Sequence, residues 1–129
     1  MNRIARRKIT RSKLILRVLW PMANKVLYNV TVNVDEDIHE EWLKWMRDVH
    51  IPDVMRTGIF SENRICRIHS FEEGGISFAI QYVCGSMDEY ERYQRDFAPA
   101  LQKLHSDRYG GKVAAFRTVL EIIHEQKHL

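Results

Sequence analysis

The sequence predicts an α+β fold of four strands and two helical connections, in the order β-α-β-β-α-β, on three observations. Residues Ile76 to Val83 alternate strictly: Ile76, Phe78, Ile80 and Tyr82 take one face, and Ser77, Ala79, Gln81 and Val83 the other. That is the period-two pattern of a half-buried strand. A Gly74-Gly75 pair joins this run to the β-rich Arg64-Ile-Cys-Arg-Ile-His-Ser-Phe71, which is a hairpin signal. A stretch of helical spacing lies on each side of the hairpin, and a further strand lies beyond each. A hairpin alone is marginally stable, so these flanking elements must supply its core.

Taken in order, Val26 to Val34 is the first strand, with Tyr28, Val30, Val32 and Val34 opposite Leu27, Asn29, Thr31 and Asn33. Asp37 followed by Glu40 is a capping-box pattern. Ile38, Trp42, Trp45, Met46 and Val49 recur at helical spacing, which predicts a helix to about His50. Pro52 ends or restarts it, Asp53 to Arg56 fits a short helical turn, and Gly58 is a C-terminal stop. Ile59 to Asn63 leads into the hairpin. Ser86 with Glu89 repeats the capping pattern, and Tyr90, Tyr93, Phe97, Leu101 and Leu104 form one stripe of a long helix. Pro99 predicts a kink there or the first turn of a second helix. Lys112 to Ile123 is the last strand, with Ala114, Phe116, Thr118, Leu120 and Ile122 opposite Arg117, Val119 and Glu121.

Right-handed crossovers then give a four-stranded antiparallel sheet in the order 4-1-3-2, with the helices on one face: the ferredoxin-like arrangement. In this assignment the helices cover Tyr28, Val30, Val32, Ile76, Phe78, Ile80, Phe116 and Leu120. The open face presents Asn29, Thr31, Ser77, Ala79, Gln81, Arg117 and Val119. That face is too apolar for idle solvent surface and too polar for a simple core. A second copy packed against it makes a dimeric α+β barrel.

Composition fits one domain of 129 residues, 45% hydrophobic and 29% charged. The net charge of +3 conceals an uneven division. Residues 1–25 carry eight bases and no acid, and the other 12 bases and all 17 acids lie beyond, so the body stands at −5. The sequence pI ≈ 9.0 therefore says nothing about the body, and nucleic acid is not an expected partner. Residues 1–25 are expected to be a disordered basic arm or the product of a start codon assigned too far upstream. A transit segment or a nucleic-acid arm are the other readings of an Arg-rich, acid-free stretch. Residues 26–124 are the expected domain and 125–129 a tail. A Glu73-Gly74 turn sets Cys66 and Cys84 about three residues out of register, roughly 10 Å apart at strand rise. That excludes a disulfide between them and fits a reducing, cytoplasmic setting. Both thiols are expected to be buried small hydrophobes. No apolar run reaches the length of a membrane span.

The stretches Tyr28-Asn-Val-Thr-Val-Asn-Val34, Trp42-Leu-Lys-Trp45-Met, His50-Ile-Pro52, Gly58, Gly74-Gly75, Glu91-Arg-Tyr93, Phe97-Ala-Pro99-Ala-Leu101 and Phe116-Arg-Thr118 stand in a distinctive order. Together, over about residues 26 to 121, they resemble the small bacterial domain-of-unknown-function family DUF 4286. The resemblance implies a ferredoxin-like dimeric α+β barrel and no known activity. More loosely, a helical Trp followed by His50-x-Pro52 and Gly58 is similar to the EthD-like and monooxygenase-like branches of the barrel superfamily. That likeness implies that His50 borders a cavity.

His50 at a helix C-terminus is explained by the macrodipole, which favours a protonated imidazole; the functional reading is a cavity acid or base. Asn29, Thr31, Gln81 and Arg117 converge on the open face in this assignment. They form either a hydrogen-bonded dimer interface or a small ligand pocket in which Arg117 holds an anion. His124-Glu125-Gln126-Lys127-His128 matches H-E-x-x-H, whose chemistry needs a helix to bring both imidazoles to one metal. Here it follows a strand at the end of the sequence, so no metal is expected, and no G-x-G-x-x-G or P-loop suggests a nucleotide or other cofactor. The expectation is a cytoplasmic homodimer that binds a small molecule between its sheets. The alternatives are a cofactor-independent monooxygenase-like or isomerase-like enzyme, and nucleic-acid binding through the arm.

Overall fold

The computed structural model describes residues 23–69 and 74–129. Most of the basic arm, including the run Leu14 to Trp20, lies outside them. Four strands, β1 (Val26–Val34), β2 (Phe60–Arg67), β3 (Ile76–Cys84) and β4 (Val113–Glu121), form one antiparallel sheet in the order β2-β3-β1-β4. This is the expected 4-1-3-2 order read from the other edge. Tyr28, Val32 and Val34 of β1 and Phe78, Ile80 and Tyr82 of β3 are buried beneath the helices. Their alternation with smaller or more polar residues is what selects that face.

The first helical connection runs through Pro52, where the sequence left an end or a restart open. A 3-10 turn (Glu36–Ile38) leads into α1 (His39–Trp45), a π-helical turn (Met46–His50) and α2 (Ile51–Met55). Pro52 has no N–H, and its ring would collide with the carbonyl four residues back in a regular helix. The π turn widens the helix just before it: Ile51 N–H bonds to Met46 O, five residues back. The chain therefore passes Pro52 and stops at Gly58, whose φ is 78°. The Asp37 capping pattern is not used, because α1 begins at His39 with no side-chain cap.

The second connection comprises α3 (Met87–Asp96) and α4 (Ala98–Tyr109). Ser86 Oγ caps α3 by accepting from Glu89 N–H at 3.2 Å. Of the two outcomes open at Pro99, the structure takes the second helix: Phe97 breaks the run at φ −124°, and Pro99 sits in the first turn of α4. The two connections pack Trp42, Met46, Val54, Tyr93, Ala98 and Tyr109 into the core.

Two registers correct the sequence-based assignment. In the hairpin Cys66 lies opposite Ala79 and Cys84 opposite Phe60, with an irregularity between Phe60 and Glu62. The thiols are thus further out of register than expected, and both are free. Cys84 is buried but Cys66 is exposed, because Ala79 carries it onto the open face. In β4, Val30 pairs with Arg117, Tyr28 with Val119 and Val32 with Ala115. Direct cross-strand partners share a face. Arg117 therefore points to the helix side, and Phe116, Thr118 and Leu120 to the open side, which inverts the expected β4. Both faces of this strand mix small, polar and apolar residues, so its periodicity does not specify orientation. The pairing of Val34 with Val113 does. After Glu121 residues 122–129 form no helix, so the H-E-x-x-H residues lack the geometry that their metal chemistry requires.

Candidate functional site

The inversion of β4 brings Arg117 into a cleft of ≈ 190 Å³ between the sheet and the helices. Its floor is Tyr28, Val30 and Val32 of β1, Ile80 and Tyr82 of β3, and Ala115 and Arg117 of β4. Its far wall is Trp42, Met46 and His50 from the first helical connection and Leu101, Gln102 and His105 from α4. No carboxylate is among the described residues that line it.

His50 lies inside the helical run, in the π turn, rather than at a helix end. The macrodipole account of a charged imidazole therefore does not apply. His50 stacks on Trp45 with ring centroids 5.0 Å apart. Burial, with a smaller contribution from His105 and opposition from Asp53, lowers its pKa to about 4. His105 lies with its ring centroid 5.8 Å from that of His50. Its Nε2 accepts the indole N–H of Trp42 at 3.0 Å, so the neutral ring carries its proton on Nδ1. Burial and, secondarily, Arg117 lower its pKa as well. Both imidazoles are uncharged at neutral pH.

Arg117 donates Nε–H to Tyr28 Oη at 3.0 Å. Tyr28 in turn lies among Tyr82, Tyr90, Tyr93 and Phe60, with centroids 5.2 to 6.2 Å away. Burial raises the pKa values of Tyr82 and Tyr93, so both remain phenols at neutral pH. The cleft thus combines aromatic walls, two neutral imidazoles and one guanidinium.

Asn29, Thr31 and Gln81 do gather on the open face, as expected. Asn29 Nδ2 donates to Thr31 Oγ1 at 2.9 Å, and Gln81 Nε2 donates to Asn29 Oδ1 at 3.3 Å. Arg117 is not with them; it joins His50 on the opposite side of the sheet. Periodicity does not reveal His105, because Leu104 takes the inward place on the helix stripe that the sequence predicts. Leu104 is exposed, and His105, four residues after Leu101, is the one turned inward. The i, i+4 spacing of Leu101, His105 and Tyr109 was the available signal.

A four-stranded antiparallel sheet in this order, with helices on one face and a cleft beneath them, defines a ferredoxin-like α+β protein. The sequence profile described as "Domain of unknown function (DUF4286)" matches residues 25–123, and the chain belongs to that family. No curated protein matches the chain. Solved structures share the fold at low identity. An EthD-family protein from Bacillus halodurans is 10% identical with a TM-score of 0.57, covering 72% of this chain and 96% of its own. SnoaB, a cofactor-independent oxygenase from Streptomyces nogalater, is 12% identical with a TM-score of 0.56, covering 82% and 100%. A dimeric ferredoxin-like protein from an uncultured marine organism is 11% identical with a TM-score of 0.55, covering 80% and 99%. Among the described residues, no helix is long and apolar enough to cross a membrane.

Proposed function

We propose that the chain is a cytoplasmic homodimeric α+β barrel protein, each subunit of which holds a small molecule in the cleft beneath its helices. This relocates the ligand expected between the sheets. The carrying observation is the cleft itself, a volume of ≈ 190 Å³ with aromatic and aliphatic walls and about as much polar surface, on which His50, His105 and Arg117 converge. Apolar walls with a few convergent polar groups are the usual form of a ligand site. A cavity of about 150 Å³ accommodates benzene, so this one suits a single-ring compound. The dimer reading rests on the open face, where Phe116 is 63% and Leu120 43% exposed around Ala79 and Val83. A second copy would cover that patch, and the Asn29-Thr31-Gln81 hydrogen bonds suit a polar contact within it.

The test is a thermal-melt screen of single-ring compounds on the purified protein, since a ligand that binds the native state raises the midpoint. Ala115→Trp, on the exposed edge strand, fills the cleft without disturbing the core. A shift abolished by Ala115→Trp supports the reading. No shift with any compound, or a shift that survives the substitution, counts against it.

A second reading, an isomerase-like or cofactor-independent monooxygenase-like enzyme, is favoured by one arrangement. A neutral His50 can accept a proton in the same cleft where Arg117 can face an oxygen that gains charge. The fold likeness to an oxygenase is compatible with it. Incorporation of deuterium from solvent into a cyclic ketone, lost in His50→Gln, is the measurement that favours this reading over simple binding.

A further inference from the structure

We infer that the cleft is an anion site that selects single-ring organic acids over neutral rings of the same shape, with Arg117 holding the acid group. This rests on the reading that the cleft takes a small molecule and extends it to the chemical class of that molecule.

The geometry begins with the commitment of Nε. Because Arg117 Nε–H is bonded to the Tyr28 hydroxyl, the guanidinium plane is fixed at one edge. Its terminal amino groups have no acceptor among the described residues. Two parallel N–H donors on a fixed plane match the two oxygens of a carboxylate, or two of the three of a sulfonate. Lys does not offer that fork.

Charge points the same way. The body of the chain is acidic, at −5 over residues 26–129. Nine described cations lie within 4.0 Å of a carboxylate, from Lys25 with Glu125 to Lys112 with Asp37. Arg117 has no such partner; Arg47, Arg67 and Lys127 share that condition, but of the four Arg117 alone lines the cleft, and no carboxylate is among the described residues that line it. The guanidinium is exposed at the rim of the aromatic cleft, where water solvates it in the free protein and the acid group of a ligand would replace that water as its partner. The imidazoles do not supply a competing charge. His105 instead offers an Nδ1–H donor, because Trp42 occupies its Nε2. The remaining walls, Trp42, Tyr82 and Val32 among them, suit the face and edges of a ring.

The experiment titrates the full chain at pH 7 and about 0.15 M salt, where exposed charges are already screened. The probes are benzoate and benzenesulfonate, with benzamide and benzyl alcohol as their neutral counterparts, read by calorimetry and by amide chemical shifts. Both anions are expected to bind about tenfold or more tightly than either neutral ring. Arg117→Gln is expected to remove that preference, and Arg117→Lys to restore part of it. Neutral rings that bind the wild-type protein as well as the anions overturn the anion inference and leave the cleft reading intact. A preference that survives Arg117→Gln does the same. Failure of all four probes to shift any cleft residue overturns both.

Discussion

Trp42 donates its indole N–H to His105 Nε2 across 3.0 Å, tying the buried centre of α1 to the inner face of α4. The bond fixes the tautomer of a cleft histidine from behind, so the core and the site share one contact. Trp42 is 0% exposed and also packs on Phe78, ring centroids 5.3 Å apart. Trp42→Phe keeps a ring in place but removes the donor and part of the volume. It is expected to cost about 2 kcal/mol in denaturant unfolding. Imidazole nitrogen shifts at pH 7 should report Nδ1–H for His105 in the wild type and a mixture of tautomers in the variant. An unchanged tautomer would show that Trp42 does not hold the ring.

Stability should fall with acid before the carboxylates titrate. The native pKa of His50 is lowered to about 4, against an ordinary value of 6.5. Between those values the unfolded chain binds a proton that the native chain does not. The contribution of His50 is therefore fully present above pH 6.5 and is lost as the pH falls toward 4. The urea midpoint is expected to decline from pH 6.5 to pH 5. His50→Phe should flatten that decline in part, because His105 is shifted in the same direction. An equal slope in both proteins would mean that His50 titrates normally.

The sequence carried the order of elements because β1 and β3 each place large apolar residues on one face and smaller or polar ones on the other. β4 has no such contrast: Phe116 and Leu120 sit on one face, and Val113 and Val119 on the other. A shift of one residue exchanges its faces, and the register that pairs Val34 with Val113, and hence Val30 with Arg117, resolves it. That single ambiguity moved Arg117 to the wrong side and hid the cleft. The residues around His50 mark it in the sequence, but periodicity sets it at a helix end, since a π turn that accommodates Pro52 leaves no periodic trace. His105 was screened by Leu104 beside it. What failed was thus what depends on register and on helix irregularity, whereas burial by periodicity held on β1 and β3, at Tyr28, Val32, Phe78 and Ile80, and not at Val49 and Leu104 on the helices.

Association through the open face predicts a specific failure. Ala79 pairs with Thr31 on one side and Cys66 on the other, near the middle of that face. Ala79→Arg places a charge where a second sheet would press, and burying an unpaired charge is strongly unfavourable. The wild type is expected to scatter light as a dimer at micromolar concentration, and the variant as a monomer with unchanged far-ultraviolet circular dichroism. A dimer that persists in Ala79→Arg would place the contact elsewhere.

The hairpin supports the last prediction, which compares two adjacent glycines. Gly74 and Gly75 both have positive φ, at 98° and 72°, so an L side chain is strained at either. Their surroundings differ. A Cβ at Gly74 meets nothing within 4 Å, whereas one at Gly75 would lie 2.3 Å from Asn33 Oδ1 and 2.8 Å from Val34 O. Asn33 cannot yield freely, because its Nδ2 donates to Gly74 O and to Ser77 Oγ, each at 3.1 Å. Gly74→Ala should therefore cost about 1 kcal/mol, the price of the backbone conformation alone. Gly75→Ala should cost about 2–3 kcal/mol, since it adds displacement of Asn33 and the loss of at least one of its hydrogen bonds. Denaturant midpoints of the two variants, with the Asn33 side-chain amide resonances as a local probe, separate the two contributions. Equal losses, with Asn33 undisturbed in Gly75→Ala, would mean that the turn relaxes away from β1 and that Asn33 does not clamp it.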